Sequence, residues 1–295
     1  MTGARTDLRT KAGGVCGGAT WRRLYVAATM LEIQFGQSSV RGKVRTRNGD
    51  ATGWFVPYSR QQAQSHGYLF AVADGSGERD GDEAAASTAI AVLTDEFEKA
   101  ESGAMLISLL PQLIQCANTA VRERGRAGGR SEMQMTTTVV ACALRNDQAI
   151  VSHVGHSHCY LVRDGRARQV TQDHRDLQGD RTVEGSNGNR PANGLQMAAK
   201  SALGTEAFIS PDTTALALLP GDVLVLSTDG VHQVIGGQGI AGIASQAKTT
   251  GEIARELVAR AVAADGDDNA TAQVIRVRAV RQMAFHRSHS YGASQ

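Results

Sequence analysis

The chain has 295 residues, 41% of them apolar, and a formal net charge of +2. That length allows one or two domains with a sizeable core, and the near-neutral balance gives no global reason to expect nucleic acid or a membrane surface as partner. No apolar run approaches the roughly 20 residues of a membrane-spanning helix.

The four cysteines, Cys16, Cys116, Cys142 and Cys159, form no Cys-x-x-Cys pair. A chain this long needs no disulfide staples. Cys142 and Cys159 lie in apolar runs and read as small core residues. This usage fits a reduced, cytoplasmic protein. The stretch from Trp21 to Ile33 imitates a signal peptide, but its apolar part is short, starts late and is interrupted by Glu32, so secretion is not expected.

Residues 1–34 read as an irregular, Gly-rich, basic extension, residues 35–280 as one domain and residues 281–295 as a polar tail. Within the domain, Tyr68-Leu-Phe-Ala-Val-Ala is a short apolar run ending at Asp74-Gly75, the pattern of a buried strand. Asp82 to Lys99, rich in Ala, Leu and Glu, predicts a helix with Asp82 as its cap. Met105 to Arg124 predicts a second, with Leu106, Leu109, Leu110, Leu113, Ile114 and Ala117 at helical spacing.

Strands follow at Thr137–Leu144, Ala149–Gly155 and Cys159–Arg163. Asp164-Gly165, a pair that tolerates positive backbone angles, turns the last of these into a hairpin with Ala167–Thr171. Residues 175–199 are rich in Gly and Asn without periodicity and read as a surface loop that sets substrate choice. Pro220-Gly221-Asp222 turns into the strand Val223–Ser227, which stops at Asp229-Gly230. Glu252–Ala264 predicts an amphipathic helix, and Ala272–Val277 a last strand. Many strands with helices inserted in pairs argue for an α+β fold.

Asp74, Asp229 and Asp268 stand where strands end or begin, and Asp50 closes the polar segment Arg45-Thr-Arg-Asn-Gly-Asp. Asp and Gly are ordinary turn formers. However, Ala71-Val-Ala-Asp-Gly and Leu226-Ser-Thr-Asp-Gly each put a carboxylate directly after an apolar strand. A carboxylate at a buried edge needs a partner, and a divalent cation is one of the few adequate ones. Oxygen-only ligation favours Mg or Mn over Zn, and no clustered Cys/His set competes.

The order and wording of these segments resemble the type 2C metal-dependent serine/threonine protein phosphatase family in its bacterial form. Arg45–Asp50 is similar to the family's first motif and Val72-Ala-Asp-Gly-Ser-Gly to its second. Met135-Thr-Thr-Thr-Val-Val-Ala is similar to the Met-Gly-Thr-Thr strand, and the segment Ser152–Gly165 to the strand and hairpin around Gly-Asp-Ser. Gln169-Val-Thr-Gln-Asp-His resembles the strand before the flap and Ser201-Ala-Leu-Gly-Thr the flap exit. Gly221–Gly230 and Asp268-Asn-Ala-Thr resemble the last two motifs. The match runs over about residues 35–278.

The resemblance implies an α-β-β-α sandwich of two packed antiparallel β-sheets flanked by helices, with two Mn or Mg ions at one end. By position, Asp74 would bridge both ions and the Gly75 carbonyl would ligate one. Asp229 and Asp268 would hold the first ion and Asp50 would serve the second. Arg45 would grip the substrate phosphate in a bidentate way, with Arg47 competing for that role. A metal-activated water would then hydrolyse phosphoserine or phosphothreonine in a phosphorylated protein, the target of a serine/threonine kinase.

The chain also departs from the pattern. Gly49 stands where the family often has Glu, Glu78 where a second Gly is usual, and Thr136 where a Gly precedes Thr-Thr. His156 replaces the Asp of Gly-Asp-Ser, a position associated with an additional metal, so a further ion there would be weakly held. His153, His156 and His158 alternate as if along one strand. His174 and His232 fall near the implied cleft as general-acid candidates. The four retained aspartates favour a phosphatase; Gly49 and His156 favour the alternative, a catalytically weak regulatory or phosphoprotein-binding module of the same fold.

Overall fold

A computed structural model describes residues 25–75, 81–127, 135–172 and 202–286, with the side chains of residues 25–28, 82 and 282–286 outside the description. The elements in chain order are β1 (Tyr25–Val40), β2 (Asp50–Phe55), α1 (Arg60–Ser65), β3 (Tyr68–Gly75), α2 (Asp82–Lys99), α3 (Leu106–Ala127), β4 (Thr137–Arg145), β5 (Gln148–Val154), β6 (His158–Arg163), β7 (Arg166–Gln169), β8 (Asp212–Ala217), β9 (Val223–Ser227), α4 (Asp229–Ala244), α5 (Thr250–Ala264) and β10 (Ala270–His286).

The strands form two five-stranded antiparallel sheets, ordered β1-β10-β9-β6-β7 and β2-β3-β4-β5-β8. Strand periodicity sets the layers. Along β3, Leu69, Ala71 and Ala73 face a core shared with α2 and α3, whereas Phe70 and Val72 face the other sheet. Along β9, Leu224 and Leu226 join that central layer, whereas Val223 and Val225 pack under α4 and α5. The result is the α+β sandwich with helices on both outer faces. Because both faces of these strands are covered, they read as continuous apolar runs.

Local chemistry explains several joints. Asp164 and Gly165 both take positive φ, 51° and 73°, as a type I′ turn requires. Asp222, 1% exposed, is held in a two-bond grip by Arg163 at 2.7 Å and 2.7 Å. A capping box of Thr249 and Glu252 starts α5 two residues before Glu252, where the helix was expected to begin. For α2 the cap is Gly81 rather than Asp82, which is already the first helical residue.

Other differences are larger. Strand β1 begins at Tyr25, inside the segment expected to be irregular, and β10 continues to His286, beyond the boundary placed at residue 280. They pair along their whole length, with a register shift between Glu32 and Ile33. The strand β9 does stop before Asp229, but Asp229 opens helix α4, which the residue pattern did not announce. Expectations for residues 1–24, for Glu78, for the loop 175–199 with His174, and for the tail from residue 287 on lie outside the described residues. Among the described residues, no helix is long and apolar enough to cross a membrane.

Two glycines shape the chain around Asp229. Gly236 breaks α4 with φ 67° and ψ 164°, so a short helical segment carrying Asp229 is separated from the remainder. Gly230 lies so close to the loop before β10 that a Cβ there would stand 2.0 Å from the Asn269 carbonyl oxygen. Gly230→Ala is therefore expected to lower stability by about 2 kcal/mol through overpacking. Gly242→Ala, in the same helix with nothing within 4 Å of an added Cβ, should be neutral or stabilising by up to about 1 kcal/mol. Urea unfolding of the two variants checks this pair, and equal effects would contradict it.

Candidate active site

Antiparallel pairing of β2 with β3 sets Asp50 directly opposite Asp74. In the other sheet, β9 and β10 are neighbours, so Asp229 after β9 and Asp268 before β10 arrive at the same end of the sandwich. The sheets thus bring together four aspartates that are far apart in the chain, and the charges of Asp229 and Asp268 raise the cost of ionising Asp50 and Asp74.

Burial is the main cause that pushes the Asp50 carboxyl up to about 7. Hydrogen bonds from Thr271 and Thr228 oppose that rise, and the charges of Asp229 and Asp268 add to it. Asp74 is raised well above the usual carboxylate range, first by burial, then by the charges of Asp50 and Asp229, a side-chain hydrogen bond with Asp229, and the charge of Asp268. Desolvation and like charge act in the same direction here.

A chain of hydroxyls orients Asp50. Thr228 Oγ1 donates to Asp50 Oδ2 at 3.0 Å and accepts from the Thr271 N–H at 3.0 Å. Thr271 Oγ1 meets Ser39 Oγ at 2.7 Å, and Asn48 Nδ2 donates to Ser39 Oγ at 2.8 Å. Asn48 Oδ1 then accepts from the Asp50 N–H at 3.1 Å. Asp50 Oδ1 and Asp229 Oδ1 remain buried with no hydrogen-bond partner, a costly condition for charged oxygens.

Asp268 is placed differently. Arg45 donates to both its oxygens, Nε to Oδ1 at 2.8 Å and Nη2 to Oδ2 at 2.9 Å, and the Asn269 N–H adds a third bond at 2.8 Å. Arg45 is thus paired with a carboxylate rather than held out for a phosphate. As placed, no three His, Cys, Asp or Glu side chains among the described residues converge to hold one ion. In kind, however, the set fits a hard divalent cation: oxygen donors only, mutual repulsion, and two orphaned buried oxygens aimed into it. Full closure on an ion requires Asp268 to loosen from Arg45.

A cavity of about 780 Å³ opens beside this cluster, lined by Arg45, Arg47, Gly49, Glu83, Asp229, Gln233 and Asp268 among others. Arg47 sits on its rim, 4.0 Å from Glu83. The Gly75 N–H donates to the Gly49 carbonyl at 3.2 Å. A Cβ at Gly49 would lie 2.9 Å from the Gly75 oxygen, so the missing side chain at 49 leaves room for that carbonyl.

The histidines part company. His153, next to last in β5, is buried with Nε2 on the Gln172 carbonyl at 2.7 Å. His156 is exposed in the connection between β5 and β6, and His158 opens β6. They do not share one strand, because the chain turns between them. His232 is buried against His158, away from the cavity lining, which removes it as a general-acid candidate. Sequence reasoning assigned no role to Ser39, Asn48, Thr228 or Thr271. The signal available was a hydroxyl beside each of the late aspartates, in Ser227-Thr-Asp and Asp268-Asn-Ala-Thr.

Comparison with known proteins adds an independent line. The family model for protein phosphatase 2C matches residues 41–178. The serine/threonine phosphatase stp of Listeria innocua is 27% identical over 244 residues, covering 80% of this chain and 92% of that one. The serine/threonine protein phosphatase PstP of Mycobacterium tuberculosis is 28% identical over 262 residues, covering 85% of this chain and 46% of that one. Among solved structures, the catalytic domain of PstP in complex with 2 manganese ions superposes with a TM-score of 0.66 at 24% identity, covering 85% of this chain and 100% of that one. At that identity the structural likeness speaks for the fold. The family match over residues 41–178 and the curated relatives make the chain similar to the type 2C protein phosphatases, bacterial serine/threonine phosphatases among them.

Proposed function

We propose that this phosphatase hydrolyses phosphoserine and phosphothreonine in proteins with the help of two Mn or Mg ions held by Asp50, Asp74, Asp229, Asp268 and the Gly75 carbonyl. The observation that carries the reading is the pair of buried, unpartnered oxygens, Asp50 Oδ1 and Asp229 Oδ1, inside a cluster of mutually repelling carboxyls. When bound, such ions supply Lewis-acid activation of water and neutralise charge on the phosphoryl group.

The chain's own residues do the rest. Asp74, facing Asp50 across the strand pair and next to Asp229, would serve both ions. Asp229 and Asp268 would hold the first and Asp50 would serve the second. Thr228 and Thr271 fix the Asp50 rotamer. Arg45, in the cavity wall, binds the substrate phosphate once Asp268 has turned from its guanidinium to the ion. His156, an exposed imidazole in a turn, brings neither charge nor a hard oxygen, so a further ion there is weak. The substrate is a protein phosphorylated by a serine/threonine kinase, met in the cytoplasm.

A second reading is a catalytically weak regulatory or phosphoprotein-binding module. The Arg45–Asp268 ion pair favours it, since it engages both oxygens of one proposed ligand. The two orphaned oxygens weigh against it.

Turnover of phosphothreonine peptides with added Mn decides between them. The wild type should turn over, and Asp74→Asn should lose at least about a hundred-fold in rate while keeping its circular dichroism. An Asn variant with most of its Mn-dependent rate would sink the two-metal assignment.

Arg45→Ala should raise KM for phosphopeptides by about ten-fold with a smaller change in kcat. A collapse of kcat at unchanged KM would mean that Arg45 acts through Asp268 instead.

Burial of the site also makes stability depend on pH. With its carboxyl raised from 3.8 to about 7, Asp50 holds a proton in the folded chain that the unfolded chain has lost. Stability of the chelated protein should therefore fall as pH rises between about 4 and 7, by up to about 1.4 kcal/mol per pH unit for each such group, and level off above. Added Mn should flatten the slope. Thermal melts with and without chelator measure it, and a chelated protein that gains stability toward pH 7.5 would refute the burial argument.

A further inference from the structure

The helical segment that carries Asp229 has few fully buried side chains of its own. Between Asp229 and the break at Gly236, only Val231 and His232 are buried, at 0% and 6% exposure. Toward its far end, Val234 and Ile235 are half-buried against the core under α4, while Gly236 has no neighbour within 4 Å of an added Cβ. What holds it from below is a ring stack. The imidazoles of His232 and of His158, the first residue of β6, lie face to face with centroids 3.7 Å apart and 19° between planes. His158 is itself 6% exposed.

Polar contacts fix both rings. Ser227 Oγ and His232 Nδ1 are 3.3 Å apart, and His158 Nδ1 and the Tyr160 hydroxyl are 3.2 Å apart. Tyr160 meets both rings, with centroids 5.9 Å and 6.4 Å away, and its hydroxyl reaches Gln169 on β7 at 3.4 Å. The parallel faces turn the ring nitrogens along each other rather than toward a common point, so the pair packs and does not chelate. Its effect is to tie the β6–β7 hairpin to the turn that begins with Asp229.

We infer that the stacked pair His158–His232 is a positioning element for Asp229, setting the aim of that carboxylate into the metal centre from outside the site. The inference rests on Asp229 being a metal ligand, as proposed for this site. Removing the His158 ring leaves His232 without its stacking partner, and the first turn, with Asp229, then rests on Val231 and the half-buried Val234 and Ile235 alone. Partners that orient a metal ligand typically change metal affinity by about 10–100-fold. A purely structural role would lower the melting temperature and leave the affinity of the folded protein unchanged.

The test is Mn binding by calorimetry, well below the unfolding temperature, on the full chain and four variants: Asp229→Asn, His158→Ala, His158→Phe and His158→Leu. Asp229→Asn should lose Mn affinity; if it binds Mn as the wild type does, the ligand assignment falls and this inference with it. Given that loss, His158→Ala should bind Mn on the order of ten-fold more weakly, and His158→Phe, which keeps a ring face for His232, should stay within roughly two-fold of wild type. His158→Leu replaces His158→Ala in this comparison should the latter fail to fold. Wild-type affinity in the folded ring-less variant overturns the inference alone. Equal loss in the ring-less and Phe variants overturns the stack as the contact responsible.

Discussion

Four carboxylates gathered at one end of a sandwich, with Asp50 and Asp74 buried there, is the constraint to which the rest of the structure answers. Each buried, unpartnered oxygen costs roughly 1–3 kcal/mol or more. The fold carries that cost because three continuous apolar layers lie behind it, each fully buried Leu, Val or Phe contributing roughly 1.5–3 kcal/mol. Natural proteins tolerate such local frustration where function lives. Here the frustration is concentrated at strand ends, where a short register error would scatter it.

The cluster is not uniform. Asp50 and Asp74 are fixed by sheet register and by hydroxyls that reach across both sheets. Asp268 is instead satisfied by a guanidinium and a neighbouring amide. A carboxylate engaged by a cationic fork on an adjacent loop is a more changeable element than one locked in a ladder. The site thus combines a rigid half, supplied by β2 and β3, with a half whose geometry depends on loops and on the first turn of α4.

Much of this was legible in the residues. The runs Tyr68–Ala73 and Val223–Ser227 announced buried strands because both faces are covered, and Asp74 and Asp229 followed them directly. Helix α2 was legible from its Ala-rich composition. Helix α4 was not, because Gly236, Gly237, Gly239 and Gly242 lower its helical signal and its stability comes from packing under β9 and β10. Strand β1 was hidden by its polar positions, among them Glu32, Gln34 and Gln37, which make sense only once β10 lies beside them. The same holds for the hydroxyl chain and the imidazole stack. Their members are joined by topology rather than by spacing, and a single sequence carries no mark of which Thr or His will meet which.

The position of β10 has a consequence for the newborn chain. Among the described strands, β1 pairs with β10 alone, and β10 lies between β1 and β9. A ribosome delivers the chain from its N-terminus at about 5–20 residues per second, so the first strand waits unpaired until nearly everything else has emerged. Asp268 sits at the doorstep of that last strand. The carboxylate cluster is therefore completed only once β10 begins to emerge, and a chain that stops before Asp268 carries an open edge at β1 and three of the four aspartates.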